Sequence, residues 1–435
     1  MACFVAFFLN LGSICCNISS SLMRVEVQLL QVTAGDEMKM PAALLVLLIA
    51  LSSAAEALEV RGHHHRLKSM TALSPPFFLR PGSVADKYYH DIAFPRGHVA
   101  LKSFNGEVVD ERGAAVPLHE AYLHHWLVRR YYAATTNSSA APATIPARNA
   151  GVCEGDTHGQ YYGLGSETRR TATWVPDPYG VEAGDAAAAP EGYEERWMLN
   201  VHAIDTRGAA DRQGCTECRC DLYNVTADEY DGRRIARDYA GGLLCCYDGT
   251  RCRVEEGFVD GEPRKLFFRY TVMWLDWSEA IVPVRIYIFD VTHKPLPVGC
   301  KVEYKIEECS SEDRGKNDCV HVQVAKQVVP RGGDLVFGVA HQHAAGIGSS
   351  LHGQDGRLLC ESTPAYGDGE EAGNEAGYIV GMSTCYPKPG TVTVRDGEVL
   401  TVVSNYSSER QHTGVMGLFY ILVAEQEQQQ GAYST

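Results

Sequence analysis

Short runs dense in Val, Ile, Tyr and Phe recur along the chain, and Gly, Pro, Asp and Asn punctuate the gaps between them. They fall at Val99 to Phe104, Leu123 to Tyr131, Trp197 to Ile204, Leu266 to Trp274 and Ile281 to Asp290. Further runs follow at Val320 to Val329, Leu335 to Val339, Gly377 to Met382, Val399 to Ser404 and Met416 to Ala424. β-Branched and aromatic residues suit a pleated, half-buried surface, and turn residues end each strand. No long amphipathic helical period competes with them. The pattern predicts an all-β protein of two jelly-roll or β-sandwich domains in tandem. The first is expected over about 70–212 and the second over 259–425, with the Cys-rich segment 213–258 as an insertion or connector. Segment 58–69 reads as a flexible tail, the alanine-rich stretches 133–147 and 183–190 as loops, and the Gln-rich 426–435 as a disordered end.

At 435 residues the chain exceeds what one hydrophobic core usually supports, which accommodates two domains. Its 45% hydrophobic content lies well away from the composition of disordered chains. A net charge of −15 argues against nucleic acid as a partner, because phosphate-backbone binding needs clustered Lys and Arg.

Near the N-terminus, Lys39 precedes the apolar run 41–50, and the small-residue pair Ala55 and Ala57 follows. A positive flank, a short apolar stretch and small residues are the parts of a secretory signal, so cleavage is expected after Ala57 and residues 1–57 are set apart as a leader. The true start is expected at Met38 or Met40. The competing reading is a membrane anchor. The run is short for that, and no later apolar segment reaches spanning length, so stable membrane insertion is not expected.

Of 15 cysteines, Cys3, Cys15 and Cys16 fall in the leader, which leaves an even number in the remaining chain. Secretion to the extracellular space or apoplast exposes them to an oxidising compartment, where disulfides are the default. The cluster Cys215, Cys218, Cys220, Cys245, Cys246 and Cys252 also has a spacing that zinc could use, but a thiolate site needs reduced cysteines. Asn137-Ser-Ser, Asn224-Val-Thr and Asn405-Tyr-Ser are acceptor triplets for N-glycosylation.

Four short pieces carry candidate chemistry. His124 and His125 are adjacent in one strand-like run, and His202 lies in another. His341 and His343 flank Gln342, and Met416 sits in an apolar run that ends near Tyr420. With a side-chain period of two, His341 and His343 point to the same face of a strand and both can reach one ion. Adjacent histidines normally diverge, so His124 and His125 need a bulge or a local twist to share one. Imidazole together with thioether is a donor combination suited to copper. Taken singly, each has an ordinary reading: a lone strand His as a satisfied structural residue, and a Met in an apolar strand as core. His412 is expected in a solvated loop. Asp205, Asp290 and Glu375 offer carboxylates without an evident partner arrangement, and no nucleophile elbow, phosphate loop or zinc-protease motif is present.

The order of these pieces resembles that of the copper type II, ascorbate-dependent monooxygenases, which include the peptidylglycine hydroxylating enzymes and dopamine β-monooxygenase. The resemblance implies two copper ions per chain, one on His124, His125 and His202 and the other on His341, His343 and Met416. It implies ascorbate as reductant, and Tyr420 is the candidate catalytic side chain beyond the methionine. The chain departs from the peptidylglycine enzymes at Val339 and Leu418, where those enzymes carry an Arg and an Asn that bind the substrate carboxylate. An apolar pair cannot clamp a carboxylate, so the expected substrate is a small uncharged molecule. A second resemblance, to the plant stress-up-regulated nodulin-like (SURNod-type) family, rests on Gly165-Ser-Glu-Thr-Arg169, Trp197 to Arg207, Cys215-Thr-Glu-Cys-Arg-Cys220, Gly373-Asn-Glu-Ala-Gly-Tyr378 and Met382-Ser-Thr-Cys-Tyr-Pro387. It implies a secreted, stress-linked protein. The alternative to an enzyme is a non-catalytic module that stores copper or contacts the cell wall.

Overall fold

The computed structural model describes residues 66–136, 142–147, 161–223, 225–229, 231–292, 301–316 and 318–425. The leader, the cleavage site, Asn137, Asn224 and the tail 426–435 lie outside the described residues. The described chain is nearly all β, as its periodicity predicts.

One sheet carries strands in the order β1 (Lys68–Leu73), β10 (Arg264–Asp276), β4 (Val99–Asp110), β8 (Tyr179–Ala183) and β11 (Val282–Pro283), with β2 (Phe77–Leu79) also on β10. A second runs β3 (Val84–Tyr89), β9 (Tyr193–Asp205), β5 (Ala121–Ala134) and β6 (Thr144–Pro146), with β7 (Tyr161–Leu164) also on β5. Their inner faces meet through aromatic rings: Phe104 lies 4.9 Å from Trp126 and 5.6 Å from Tyr270, and Trp126 lies 5.7 Å from Phe268. Large buried rings in offset and edge contact bring substantial apolar area into a sandwich core. The run at Leu266 to Trp274, grouped with the C-terminal segment by the sequence reading, is hydrogen-bonded along β4 instead. Its inward-facing Leu266, Phe268, Tyr270 and Val272 complete the N-terminal core.

A third sheet orders β12 (Arg285–Asp290), β23 (His412–Glu425), β15 (Gly333–Gln342) and β20 (Thr384–Cys385), with β13 (Glu303–Ile306) on β23 and β21 (Thr393–Val394) on β15. The fourth orders β14 (Val320–Val328), β22 (Val399–Ser407), β16 (Gly346–His352) and β17 (Leu358–Ser362). A short pair, β18 (Pro364–Tyr366) with β19 (Ile379–Met382), completes the strands. The Gln342 amide on β15 donates to Ser404 Oγ on β22 at 2.8 Å, which ties the third sheet to the fourth. Every residue of β23 before Glu425 is buried. A strand buried without alternation has both of its faces covered, and the near-continuous apolar run from Met416 to Ala424 reflects this.

The six cysteines of the connector pair as Cys215 with Cys252, Cys218 with Cys246 and Cys220 with Cys245. All six sulfurs are consumed, which leaves no thiolate for the zinc alternative. Cys309 with Cys319 and Cys360 with Cys385 bring the disulfides among the described residues to five. Such a framework belongs to a protein matured in an oxidising compartment. No helix among the described residues is long and apolar enough to cross a membrane.

Gly106 on β4 shows how tightly the N-terminal core is filled, because a Cβ there would stand 2.2 Å from the Phe268 ring. Gly106→Ala is expected to cost about 1–3 kcal/mol through overpacking, read as a lower urea midpoint with an unchanged denaturant slope. An unchanged midpoint would mean that the Phe104, Trp126 and Phe268 stack is looser than described.

Candidate metal centre

Strands β5 and β9 pair antiparallel, with Leu123 opposite Ala203 and then His125 opposite His202, so that His124 is the extra residue of a β-bulge. This is the distortion that adjacent histidines need in order to face one point. The His124 ring lies 4.6 Å from that of His202, and the His125 ring 5.0 Å from it. One ring nitrogen from each of the three lies within 4.8 Å of the others.

Strands β15 and β23 also pair antiparallel, with His341 opposite Leu418 and Val339 opposite Tyr420. Directly opposed residues share a face, and so do alternate residues of one strand. His341, Met416, Leu418 and Tyr420 therefore all look away from the fourth sheet and toward the N-terminal sandwich. Gln342 points the other way, and His343 returns to the His341 side just past the end of the strand, its ring 5.2 Å from that of His341. Buried Tyr406 on β22 holds this corner: its hydroxyl accepts from His343 N at 2.7 Å and donates to the Met416 carbonyl at 2.6 Å.

The two groups of histidines meet, since the His343 ring lies 4.5 Å from that of His124. Three of the five rings are oriented from outside the cluster. His125 Nε2 meets Asn200 Oδ1 at 3.0 Å, and the Asn200 amide donates to Asp86 at 2.6 Å. His202 Nε2 meets the Cys246 carbonyl at 2.8 Å, and His341 Nδ1 meets Glu167 Oε1 at 2.6 Å. Each contact leaves the ring's other nitrogen turned inward. His124 Nε2, His202 Nδ1 and His341 Nε2 are buried without a hydrogen-bond partner, and the buried His343 ring approaches only the Gly414 backbone. Buried polar atoms without partners are costly and uncommon, and a cation that accepts their lone pairs would relieve them. His124 Nδ1 and His125 Nδ1 stand 3.2 Å apart. Two nitrogens on one tetrahedral ion, each at about 2.0–2.1 Å from it, stand roughly 3.3–3.4 Å apart. The donor set fits a metal ion.

A cavity of about 700 Å³ opens beside the cluster, and His125, His341, Met416, Leu418 and Tyr420 contribute to its wall. Tyr420 is buried and shares a hydrogen bond with Tyr161, whose ring centroid lies 6.3 Å away. His412 is not in a solvated loop. It opens β23, is buried, and its Nδ1 meets Glu217 Oε1 at 2.8 Å, a carboxylate that also accepts from Arg410. Asp205 pairs with Arg207, and Glu375 accepts from Leu118 N and Gly373 N, so both serve local structure. Glu167, Asn200 and Tyr406 are not legible as site residues from spacing alone: Asn200 lies two residues from His202 and so on the same strand face, and Glu167 lies within the Gly165-Ser-Glu-Thr-Arg169 stretch, but no local signal marks Tyr406.

Burial, reinforced by the neighbouring imidazoles, holds His124 and His343 well below the ordinary histidine range. Burial likewise lowers His202, and takes His125 down to about 3. These rings stay neutral in the folded chain, the form that binds metal. In the unfolded chain they take up protons near pH 6.5, so between about pH 6.5 and 3 the unfolded state binds more protons and acid works against folding. Chelator-treated protein is expected to lose urea resistance steadily as pH falls from 7.5 to 5. A flat profile over that interval would contradict the burial of neutral imidazoles.

No curated protein matches the chain in sequence. Among solved structures, the VP2 subviral particle of infectious bursal disease virus aligns at 11% identity over 83% of this chain and 72% of that one, with a TM-score of 0.19. The structure of the Gx strain of the same virus aligns at 9% identity over the same shares, also with a TM-score of 0.19. Scores this low establish no common fold. The family model described as "Stress up-regulated Nod 19" matches residues 65–426, a span that includes all five clustered histidines and Met416. The chain belongs to the SURNod19, stress up-regulated Nod 19, family.

Proposed function

We propose that this protein is a secreted, stress-related copper protein whose five-histidine centre acts on a small uncharged molecule admitted by the adjoining cavity. The observation that carries the reading is the division of labour within the rings of His125, His202 and His341. One nitrogen of each is tied to a carboxylate, amide or carbonyl oxygen; the other is turned inward, without a partner in His202 and His341 and against His124 Nδ1 in His125. Metal-binding histidines are held in this way, because the outer bond fixes the ring's tautomer and aim. Imidazole donors serve several first-row ions, and the divalent affinity order favours copper. The thioether of Met416, a donor type suited to the reduced ion, lines the same cavity as His341.

Copper bound here would supply one-electron and oxygen chemistry. The chain's own contribution is to hold the rings and shape the approach. Glu167 aims His341, and Asn200, itself held by Asp86, aims His125. Val339 and Leu418, the positions where a carboxylate clamp would stand, are apolar and buried, and Leu418 lines the cavity, which weighs against a substrate held by its carboxylate at that point. The cavity favours this reading over copper storage, since a store needs no room for a second molecule beside the metal. The disulfide framework and the family membership support an exported, stress-linked role. Asn405 is the glycosylation triplet within the described residues; it lies opposite Val322 in the pairing of β14 with β22 and is partly exposed there.

Chelator-stripped full-length protein is expected to take up copper that survives dialysis, measured by elemental analysis, and to consume oxygen with ascorbate. Glu167→Gln should weaken copper binding about 10–100-fold while leaving the far-ultraviolet circular dichroism unchanged. Stripped, folded protein that retains no copper would overturn the reading, whereas copper uptake without ascorbate-dependent oxygen consumption would favour storage.

A further inference from the structure

The pairing of strands accounts for two groups of histidines, but the rings do not stay in two groups. His124 stands between them, its centroid 4.6 Å from that of His202 and 4.5 Å from that of His343. Its Nδ1 faces His125 Nδ1 at 3.2 Å, while its Nε2 is buried without a partner. His343, the neighbour on the other side, is buried, and apart from an approach to the Gly414 backbone its ring has no partner outside the cluster. Unlike His125, His202 and His341, the His124 ring has no hydrogen bond to an oxygen, so nothing outside the cluster claims either of its nitrogens. It is also the bulged residue, released from the strand alternation that would have aimed it elsewhere.

We propose that His124 is shared, so that the chain holds its two copper ions as one coupled pair rather than as two isolated centres. This deepens the copper reading above and rests on it. On one side the donors are His125 and His202 with His124 Nδ1; on the other they are His341 and His343 with His124 Nε2. Each ion thereby receives three imidazoles. A neutral imidazole carries an N–H on one of its two nitrogens, so serving both ions requires the His124 ring to release that proton to solvent as the second ion binds. Metal binding that deprotonates its ligands is ordinary linkage, and two dications in a buried site favour it. The arrangement departs from the one implied by the copper monooxygenase resemblance, in which the two ligand sets bind their ions separately.

The test uses the full chain loaded with Cu(II), with copper measured by elemental analysis and unpaired spin by electron paramagnetic resonance. The expected result is two ions per chain, an integrated spin well below the copper content, and a half-field transition from the pair. His343→Gln should lose one ion and show the full spin of the one that remains, which keeps the test informative if the more buried His124→Gln variant fails to fold. Near-ultraviolet circular dichroism reports that folding. Two ions with full, independent spin would overturn the sharing and leave the copper reading intact, as would loading that stops at one ion in the wild-type chain. Folded protein that takes up no copper at all would overturn both.

Discussion

Strand β23 is covered on both faces, and the arrangement of everything near the centre follows from that constraint. One face, with Phe419, Ile421 and Val423, turns toward β22 and the fourth sheet. The other, with Met416, Leu418 and Tyr420, turns toward the N-terminal sandwich, where the Tyr420 and Tyr161 rings meet edge to face. A strand that must satisfy two cores cannot slip by one residue, because a slip would exchange the two faces entirely. The register that places His341 opposite Leu418 is held by the same requirement. The histidines of β15 thus inherit their position from the packing of their neighbour.

The second constraint is the bulge at His124. In a regular ladder one of His124 and His125 would enter the sandwich core and the other would face away. The extra residue lets both rings stay on the side of His202, and it leaves the His124 ring free to approach His343. An irregularity of one residue in one strand therefore joins histidines contributed by two different sheets. Glu167 reinforces the junction from the short turn Ser166–Arg170. Its carboxylate accepts from Gly165 N at 3.0 Å with one oxygen and meets His341 Nδ1 with the other. The Tyr406 hydroxyl does the same from the fourth sheet, clamping the backbones of His343 and Met416 together.

The polar atoms of the centre are unusual in how they divide. Elsewhere, buried carboxylates such as Asp205 and Glu375 are satisfied by arginines and backbone amides. In the histidine cluster, the outward nitrogens of the aimed rings are satisfied by oxygens, while the inward ones face each other in a buried interior. Burial then keeps the rings neutral, so the site offers lone pairs instead of charge. Such a cluster has no structural use for its free nitrogens, and this separates it from the carboxylate networks that merely tie loops together.

The all-β class could be read directly from the chain, because strand periodicity and turn residues act over a few positions. The five histidines and Met416 were also legible as candidates, since His341 and His343 share a face by period alone and adjacent His124 and His125 announce the need for a bulge. The sequence could not show that the two sets meet. That depends on contacts between residues far apart along the chain, such as His124 with His343 and Glu167 with His341, and no local pattern encodes such a distance. The membership of β10 in the N-terminal sheet escaped for the same reason, because its alternation suits any sheet with an apolar face. Short-range chemistry determined what each segment could become, and long-range packing, which must bury both faces of β23 at once, decided which of them share a site.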